Sequence, residues 1–275
     1  MSCQRNGLSP PTASSRTRTR KVTDGTFIPI LLIWESPYYL GTLLFITLNL
    51  YLINTHMEYN FDFALTTYCQ AKCRSCARTN EHTGEKEDWL ALVHMDLDLF
   101  ENRLKEFTKK IGHIQFCGEY GDPMMHPKVR QFIDTSLKYT DVVQINTNGG
   151  LRKPSFYADL VKDYGHPDKH PTKKVHIKWG IDGTDHYTNW LYREGVDWQR
   201  AIDNMTAWFA DDGHGAWHFL IFQWNWHQIP DAVEMAKQIG CELEFKFNNR
   251  SWGLISDEDK REAMKLLEEH YEVPY

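Results

Sequence analysis

The feature that most constrains the fold is a sixfold alternation of strand-like and helix-like segments from Met57 onward. The predicted strands are Phe61–Thr67, His113–Cys117, Val142–Thr147, Val175–Ile181, Trp217–Gln223 and Glu242–Phe247. Repeated strand–helix units with right-handed crossovers build a parallel sheet with its helices outside. Six units are too few for the usual eight-stranded closed barrel of about 250 residues. The sequence therefore predicts an α/β fold, a partial, open (β/α)6 TIM-like barrel.

The stretches between these strands predict amphipathic helices. Their apolar residues recur at intervals of three and four, which places them on one helical face. These residues are Phe100, Leu104, Phe107 and Ile111; Val129, Phe132, Ile133 and Leu137; Trp198, Ile202, Met205 and Phe209; and Val233, Ala236 and Ile239. A last helix is predicted to begin near Ser256, with Asp259 as a capping-box variant, and to end around His270. In such sheets the chemistry gathers at the C-terminal ends of the strands.

Residues 1–56 differ from the rest, and we expect them to form an irregular or helical extension before a core of residues 57–275. The extension begins with a basic segment rich in Ser, Thr and Pro, and residues 27–53 are strongly apolar. The part after Pro37 approaches the ~20 residues that a membrane span needs. Two interpretations stay open: a membrane anchor on a cytoplasmic protein, or an upstream segment outside a folded protein that starts at Met57.

Charge and cysteine content restrict the functional classes. The formal net charge of -6 gives no reason to expect nucleic-acid binding by bulk electrostatics. Three of the six cysteines, Cys69, Cys73 and Cys76, lie within eight residues. A disulfide framework spreads its cysteines through a small secreted chain, whereas a tight triplet in a long chain indicates metal or cluster ligation. We therefore expect a reducing compartment, the cytoplasm.

The triplet follows the first predicted strand with the spacing C-x3-C-x2-C. Three thiolates on one loop can hold three irons of a cubane cluster and leave the fourth iron open, since such clusters usually take four cysteines. An open iron can chelate a small molecule that has an amine next to a carboxylate. A zinc site is the alternative, and a distant His or Cys would have to complete its four ligands.

The segment Thr67-Tyr68-Cys69-Gln70-Ala71-Lys72-Cys73-Arg74-Ser75-Cys76 resembles the cluster loop of the radical S-adenosylmethionine superfamily. The resemblance implies that Cys69, Cys73 and Cys76 bind a [4Fe–4S] cluster and act in catalysis, with Tyr68 beside the cofactor. In that family the open iron binds S-adenosylmethionine (AdoMet). An electron from the cluster then yields a 5′-deoxyadenosyl radical, which removes a hydrogen atom from a substrate. A reductant such as flavodoxin or ferredoxin would supply the electron.

The turn Gly118-Glu119-Tyr120-Gly121-Asp122-Pro123 follows the second predicted strand. It is similar to a Gly-Gly-Glu-Pro-like turn of the family, whose backbone contacts the amino group of the cofactor. The resemblance makes Gly118, Gly121, Asp122 and Pro123 cofactor-binding candidates, although Tyr120 replaces the first Gly and Asp122 replaces Glu. An ordinary strand-to-helix turn also favours Gly, Asp and Pro.

Later strand ends carry further family-like residues. Asn148, in Thr147-Asn148-Gly149, resembles a Thr-Asn-Gly signature and is expected at the barrel mouth, although a capped glycine turn would explain it equally well. Asp182 and Arg193 resemble a Ser-x-Asp-Gly motif followed by an Arg about ten residues later. They would meet the ribose or substrate and the methionine carboxylate, respectively. A solvated helix residue is the alternative for Arg193.

Asn225 is similar in place to polar residues that flank the adenine, so the resemblance makes it a cofactor-binding candidate. One position departs from the family: Gly180 stands where many members have Ser. The order of the motifs resembles most that of uncharacterised viral and environmental members of the family. The resemblance implies a radical enzyme that acts on an unknown small molecule, peptide or nucleoside. The alternative is a catalytically inactive cluster- or zinc-binding protein on the same barrel, because fold does not imply function.

Overall fold

In a computed structural model of the chain, the described residues are 47–51, 58–80, 82–165 and 174–271. They form a seven-stranded sheet in which the strands stand in chain order. The strands are β1 (Thr47–Tyr51), β2 (Glu58–Phe63), β3 (Ile111–Phe116), β4 (Val142–Thr147), β5 (Lys174–Gly180), β6 (His214–Ile221) and β7 (Glu242–Phe247). The helices are α1 (Leu97–Glu106), α2 (Val129–Ser136), α3 (Pro154–Tyr164), α4 (His186–Trp190), α5 (Trp198–Phe209), α6 (Ile229–Ile239) and α7 (Asp257–His270).

The six strands β2 to β7 are parallel, and each is followed by at least one helix. Within the described residues β7 pairs with β6 alone, so the sheet stays open. This confirms the predicted partial (β/α)6 barrel. The bounds of β4 and β7 match the sequence prediction, whereas β2 begins three residues before Phe61 and ends at Phe63.

The strand β1 pairs antiparallel with the edge strand β2, from Thr47 opposite Asp62 to Tyr51 opposite Glu58. This differs from the irregular or helical extension expected before the barrel. The exposed backbone edge of β2 is a template on which an extended segment can pair. The remaining extension, including most of the apolar segment 27–53, lies outside the described residues. In the part of the chain that is described, no helix is long and apolar enough to cross a membrane.

The two faces of the sheet differ sharply in polarity. Since side chains alternate across a strand, Val175, Ile177 and Trp179 of β5 share one face, and all three are fully buried in the core beneath the helices. The opposite, inner face of β5 carries His176 and Lys178, which are partly exposed. A closed (β/α)8 barrel fills its interior with bulky apolar side chains. This open barrel instead presents a polar, concave inner face.

Helix termini follow the signals in the sequence. The Ser256 hydroxyl accepts a hydrogen bond from the Asp259 backbone N–H at 3.0 Å and caps α7, which ends at His270 as predicted. Asp96 and Asp197 cap α1 and α5 in the same way. These caps fix where each helix begins, and so they fix the length of the loops that cross the mouth of the barrel.

Candidate active site

The cysteine loop connects β2 to α1 at the C-terminal end of the sheet. Cys69, Cys73 and Cys76 all line one cavity of about 410 Å³, which extends from this loop onto the inner face of the sheet. Cys73 is buried and the other two are partly exposed. This placement is consistent with the prediction that the three thiols lie together.

The loop is held in shape by backbone hydrogen bonds and by one buried arginine. The Cys76 N–H donates to the Cys73 carbonyl at 3.0 Å, which closes a tight turn between these two ligand candidates. The Arg78 guanidinium donates to the carbonyl oxygens of Cys69 at 2.9 Å and Ala71 at 3.1 Å. Arg78 therefore fixes the loop backbone from beneath. The sequence analysis missed this role, and the only signal for it was an arginine two residues after the last cysteine.

Several N–H groups point at the cysteine sulfurs. The Ala71 N–H lies 3.4 Å and the Asn148 side-chain amide 3.6 Å from Cys69 Sγ, and Arg193 Nη1 lies 4.0 Å from Cys73 Sγ. Donors of this kind stabilise a thiolate and tune an iron–sulfur cluster. Polar donors aimed at a cysteine set are what a cluster site needs around its sulfurs.

The thiols of Cys69 and Cys73 resist ionisation. Burial, followed by the nearby Asp122 carboxylate, raises the pKa of Cys69 to about 12. Burial likewise raises the pKa of Cys73 to about 11. A bound cation reverses this preference, because a coordinating thiol is deprotonated outright. The donor set therefore fits a cationic iron centre that replaces the missing solvation.

Within the described residues, no group of three or more His, Cys, Asp or Glu side chains is arranged so that it could hold a metal ion. Cysteines that bind a cubane cluster each contact a different iron, so such a set does not have to converge on one point.

Asp122 joins three of the loops that surround the cavity. Its carboxylate accepts from Met124 N–H at 2.9 Å, from the Thr147 hydroxyl at 2.9 Å and from Asn148 N–H at 2.8 Å. Its own N–H donates to the Tyr68 carbonyl at 2.9 Å. Burial raises the pKa of Asp122, although these hydrogen bonds oppose the shift. Asp122 thus connects the cysteine loop, its own turn and the end of β4.

Gly121 allows that turn to lie directly against the cysteine loop. A Cβ atom on Gly121 would overlap the carbonyl oxygen of Thr66. No larger residue fits at this position without moving the backbone. Gly118, in the same turn, lines the cavity and has ordinary space around it, since its Cβ would come no closer than 3.5 Å to another atom.

Asn148 lies in the cavity wall beside Cys69. Its side-chain oxygen accepts from Gln70 Nε2 at 2.7 Å and from the Gly150 N–H at 3.0 Å. Its amide group is thereby oriented toward the Cys69 sulfur. The end of β4 and the cysteine loop are thus joined by side-chain contacts as well as through Asp122.

Asp182 and Arg193 form an ion pair at the cavity wall. Arg193 Nε donates to Asp182 Oδ2 at 2.6 Å, and Asp182 Oδ1 accepts from the Leu220 N–H at 2.8 Å. Burial alone would lower the pKa of the Arg193 guanidinium. The negative charges of Asp182 and Cys73 outweigh burial, so the pKa lies above its ordinary value. Arg193 lines the cavity, whereas Asp182 is fully buried behind it.

Of the predicted site residues, eight line the cavity: Cys69, Cys73, Cys76, Gly118, Gly121, Asp122, Asn148 and Arg193. Tyr68, Pro123, Asp182 and Asn225 lie outside its lining. Tyr68 stacks on His94 with ring centroids 4.6 Å apart. Asn225 donates to the carbonyl oxygens of Asp182 and Leu220 and accepts from the Phe222 N–H, so its polar atoms brace the strand ends.

The sequence analysis missed several residues on the inner face that line the same cavity. Lys178 of β5 and His218 of β6 are the charged or titratable ones among them. Arg250, which the sequence places in a polar cluster after the last strand, also lines the cavity. The signal for Lys178 and His218 was that each alternates along its strand with buried apolar residues. Cys117 also lines the cavity, and burial raises the pKa of its thiol to about 11.

Comparison with known proteins bears on the fold. No protein-family profile and no curated protein sequence matches the chain. Among solved structures, native anSMEcpe with bound AdoMet matches with a TM-score of 0.56 and 14% identity, over 76% of this chain and 59% of that chain. The same protein with bound AdoMet and the Kp18Cys peptide matches with a TM-score of 0.54 and 13% identity, over 75% of this chain and 57% of that chain.

The chain thus spans less than two thirds of the length of these proteins. At such low identity the likeness concerns the fold alone: the chain shares a partial (β/α)6 barrel with these proteins.

Proposed function

We propose that the protein is a radical S-adenosylmethionine enzyme. In this proposal Cys69, Cys73 and Cys76 hold a [4Fe–4S] cluster, and AdoMet is cleaved reductively to a 5′-deoxyadenosyl radical that removes a hydrogen atom from a substrate. The observation that carries the proposal is the placement of three cysteines of one loop in a single cavity at the C-terminal ends of parallel strands. Ligand sites of α/β sheets lie at this edge.

A bound cluster of this type supplies one electron and an open iron that takes the amine and carboxylate of AdoMet. The protein contributes orientation and charge. Arg193 presents a guanidinium to the cavity, and its Asp182 partner limits how far that group can move. A guanidinium matches a carboxylate bidentately, so Arg193 is suited to the carboxylate of AdoMet.

The remaining wall faces the amino group of the same end of the cofactor and holds the cysteine loop still. Gly118 lines the cavity, and a Cβ there would come no closer than 3.5 Å to another atom, which leaves room for the amino group of AdoMet beside the backbone. Asn148 and Arg78 fix the loop from two sides. The electron comes, in this proposal, from a small reductant such as flavodoxin or ferredoxin in a reducing compartment.

The test is anaerobic reconstitution of the full chain with iron and sulfide. We expect about four irons and four sulfides per chain, and 5′-deoxyadenosine once dithionite and AdoMet are added. Cys73→Ala should lose both. Cys241→Ala is the matched control, because Cys241 is a partly buried thiol that does not line the cavity. Zinc without sulfide in the wild-type protein, or an unchanged Cys73→Ala variant, would contradict the proposal.

A further inference from the structure

Lys178 is a cationic side chain on the inner face of β5 that faces the same cavity as the three cysteines. It lies two residues before Gly180, deeper in the barrel than the strand ends. Among the described residues its ammonium group makes one ion pair, with Glu244 at 3.8 Å, and no hydrogen bond. An ammonium group has three donors and is strongly hydrated, so a partly buried one with no hydrogen-bond partner has unused binding capacity.

Glu244 does not neutralise this charge. The same carboxylate contacts His218 Nε2 at 2.7 Å and Lys246 Nζ at 3.8 Å. Burial lowers the pKa of His218 to about 4, so the imidazole is neutral at pH 7. Two ammonium groups therefore share one carboxylate, and this part of the inner face keeps a net positive charge.

The other cations of the cavity wall are already engaged. Arg78 donates to carbonyl oxygens of the cysteine loop. Arg193 is paired with Asp182, and Arg250 donates to the Ser75 carbonyl. Among the described cations of this wall, Lys178 alone has no closer partner than an ion pair at 3.8 Å.

The carboxylates of the cavity lie away from this lysine or are saturated. Asp122 accepts hydrogen bonds from three donors. Glu119 lies near Asp62 on β2, and it adds to the rise in the pKa of Asp62 that burial causes. The acidic side of the cavity is thus over β2 and β3, and the basic side is over β5.

Asn146 supplies a second donor next to the lysine. The two residues are register partners on the neighbouring strands β4 and β5. The Asn146 oxygen accepts from Gln144 Nε2 at 3.2 Å, which leaves its NH₂ group as the donor. On the other side, the partner of Lys178 in β6 is Ala216, whose side chain has no polar group to offer the lysine.

We propose that Lys178 and Asn146 bind an anionic group, a carboxylate or a phosphate, of the second substrate that reacts in this cavity. An ammonium group and an amide NH₂ on adjacent strands offer such a group charge and directed hydrogen bonds together. The identification of the ligand as a substrate rests on the proposed function, whereas the anion site rests on the contacts above.

The test is the acetylation rate of each lysine, measured by mass spectrometry on the reconstituted holoprotein with N-hydroxysuccinimidyl acetate. The probes are inorganic phosphate and, in a parallel series, acetate, each with saturating AdoMet. A bound anion stabilises the ammonium form and shields it, so it slows acetylation. Lys246 is the control within the same protein, because it has the same Glu244 partner at the same 3.8 Å but does not line the cavity.

We expect one of the probes to slow acetylation of Lys178 about fivefold when present at four times its dissociation constant, and to leave Lys246 unchanged. Asn146→Asp, which keeps the side-chain shape but replaces the donor with a negative charge, should abolish this protection. Protection of Lys178 by AdoMet alone would assign the anion to the cofactor and overturn the inference. So would equal rates for both lysines with and without the probes.

The same preparation is assayed for 5′-deoxyadenosine, which separates this inference from the proposed function. Absence of 5′-deoxyadenosine together with protection of Lys178 by phosphate would refute the enzyme assignment and leave the anion site standing. Cleavage of AdoMet without any protection of Lys178 would support the enzyme assignment and refute the anion site.

Discussion

Replacement of Asp182 by Asn tests whether the buried ion pair holds Arg193 at the cavity wall. The Asp182 side chain is fully buried and that of Arg193 is 19% exposed. Asn keeps the oxygen that accepts from the Leu220 N–H at 2.8 Å. It removes the charge opposite Arg193 Nε and turns an NH₂ group, which is a donor, toward the guanidinium.

Breaking a buried pair costs about 3 to 5 kcal/mol, because one uncompensated charge stays buried. Arg193 retains some contact with solvent, so we expect the free energy of unfolding to fall by about 3 kcal/mol, at the lower end of that range. Asp163→Asn is the matched control. Arg130 pairs with Asp163 at the same 2.6 Å, but these two side chains are 34% and 50% exposed. Exposed pairs contribute about 0.2 to 1 kcal/mol.

The assay is equilibrium urea unfolding of the wild-type protein and both variants, with AdoMet affinity measured in parallel. A second variant, Asp182→Asn with Arg193→Met, removes the stranded charge and should recover part of the loss. If Asp182→Asn destabilises the protein by no more than Asp163→Asn does, the ion pair does not hold Arg193 at the cavity wall.

Three further changes follow from the structure. Gly121→Ala should lower the free energy of unfolding by about 1 to 3 kcal/mol, because its Cβ would overlap the Thr66 carbonyl. Gly118→Ala is the control and should change that free energy far less, so equal effects of the two variants in urea unfolding would refute this reasoning. Ser256→Ala should cost about 1 kcal/mol through the lost cap of α7, and an unchanged unfolding midpoint would count against it. Burial lowers the pKa of His176 to about 4, below its unfolded value near 6.5, so the unfolded state binds the proton more readily and stability falls as the pH drops from about 6.5 to 4. His176→Gln should flatten that pH dependence, and an unchanged slope would refute the assignment.

The sequence predicted the barrel because the fold depends on local patterns. Strand β4 was placed without error since Val143 and Ile145 alternate with polar residues and a glycine turn follows. The strand β1 escaped prediction for a different reason. Its pairing depends on the free edge of β2, a long-range contact that no pattern inside Thr47–Tyr51 encodes.

The site was predicted to the extent that it lies in short motifs. The cysteine loop, the Asp122 turn and Asn148 follow successive strands, and parallel strands bring their C-terminal ends to one edge. The roles of Arg78 and Asn225 depend on which backbone carbonyls they reach, and Asn225 contacts Asp182, 43 residues away. Such partners are set by tertiary packing, which spacing along the chain does not reveal.

Gly180 shows how a departure from a family pattern can be explained by a partner elsewhere in the chain. A Cβ atom at this position would lie 2.8 Å from Arg193 Nη2, so a serine there would displace the guanidinium that now fills the space. The side chain of Arg193 enters from the turn that follows α4 and is held by Asp182, two residues beyond Gly180. In the proposed enzyme, Arg193 therefore occupies the place that a serine side chain at position 180 would take. Gly180→Ser should then weaken AdoMet binding rather than restore a family contact, and tighter binding in that variant would show that the space is not reserved for the arginine.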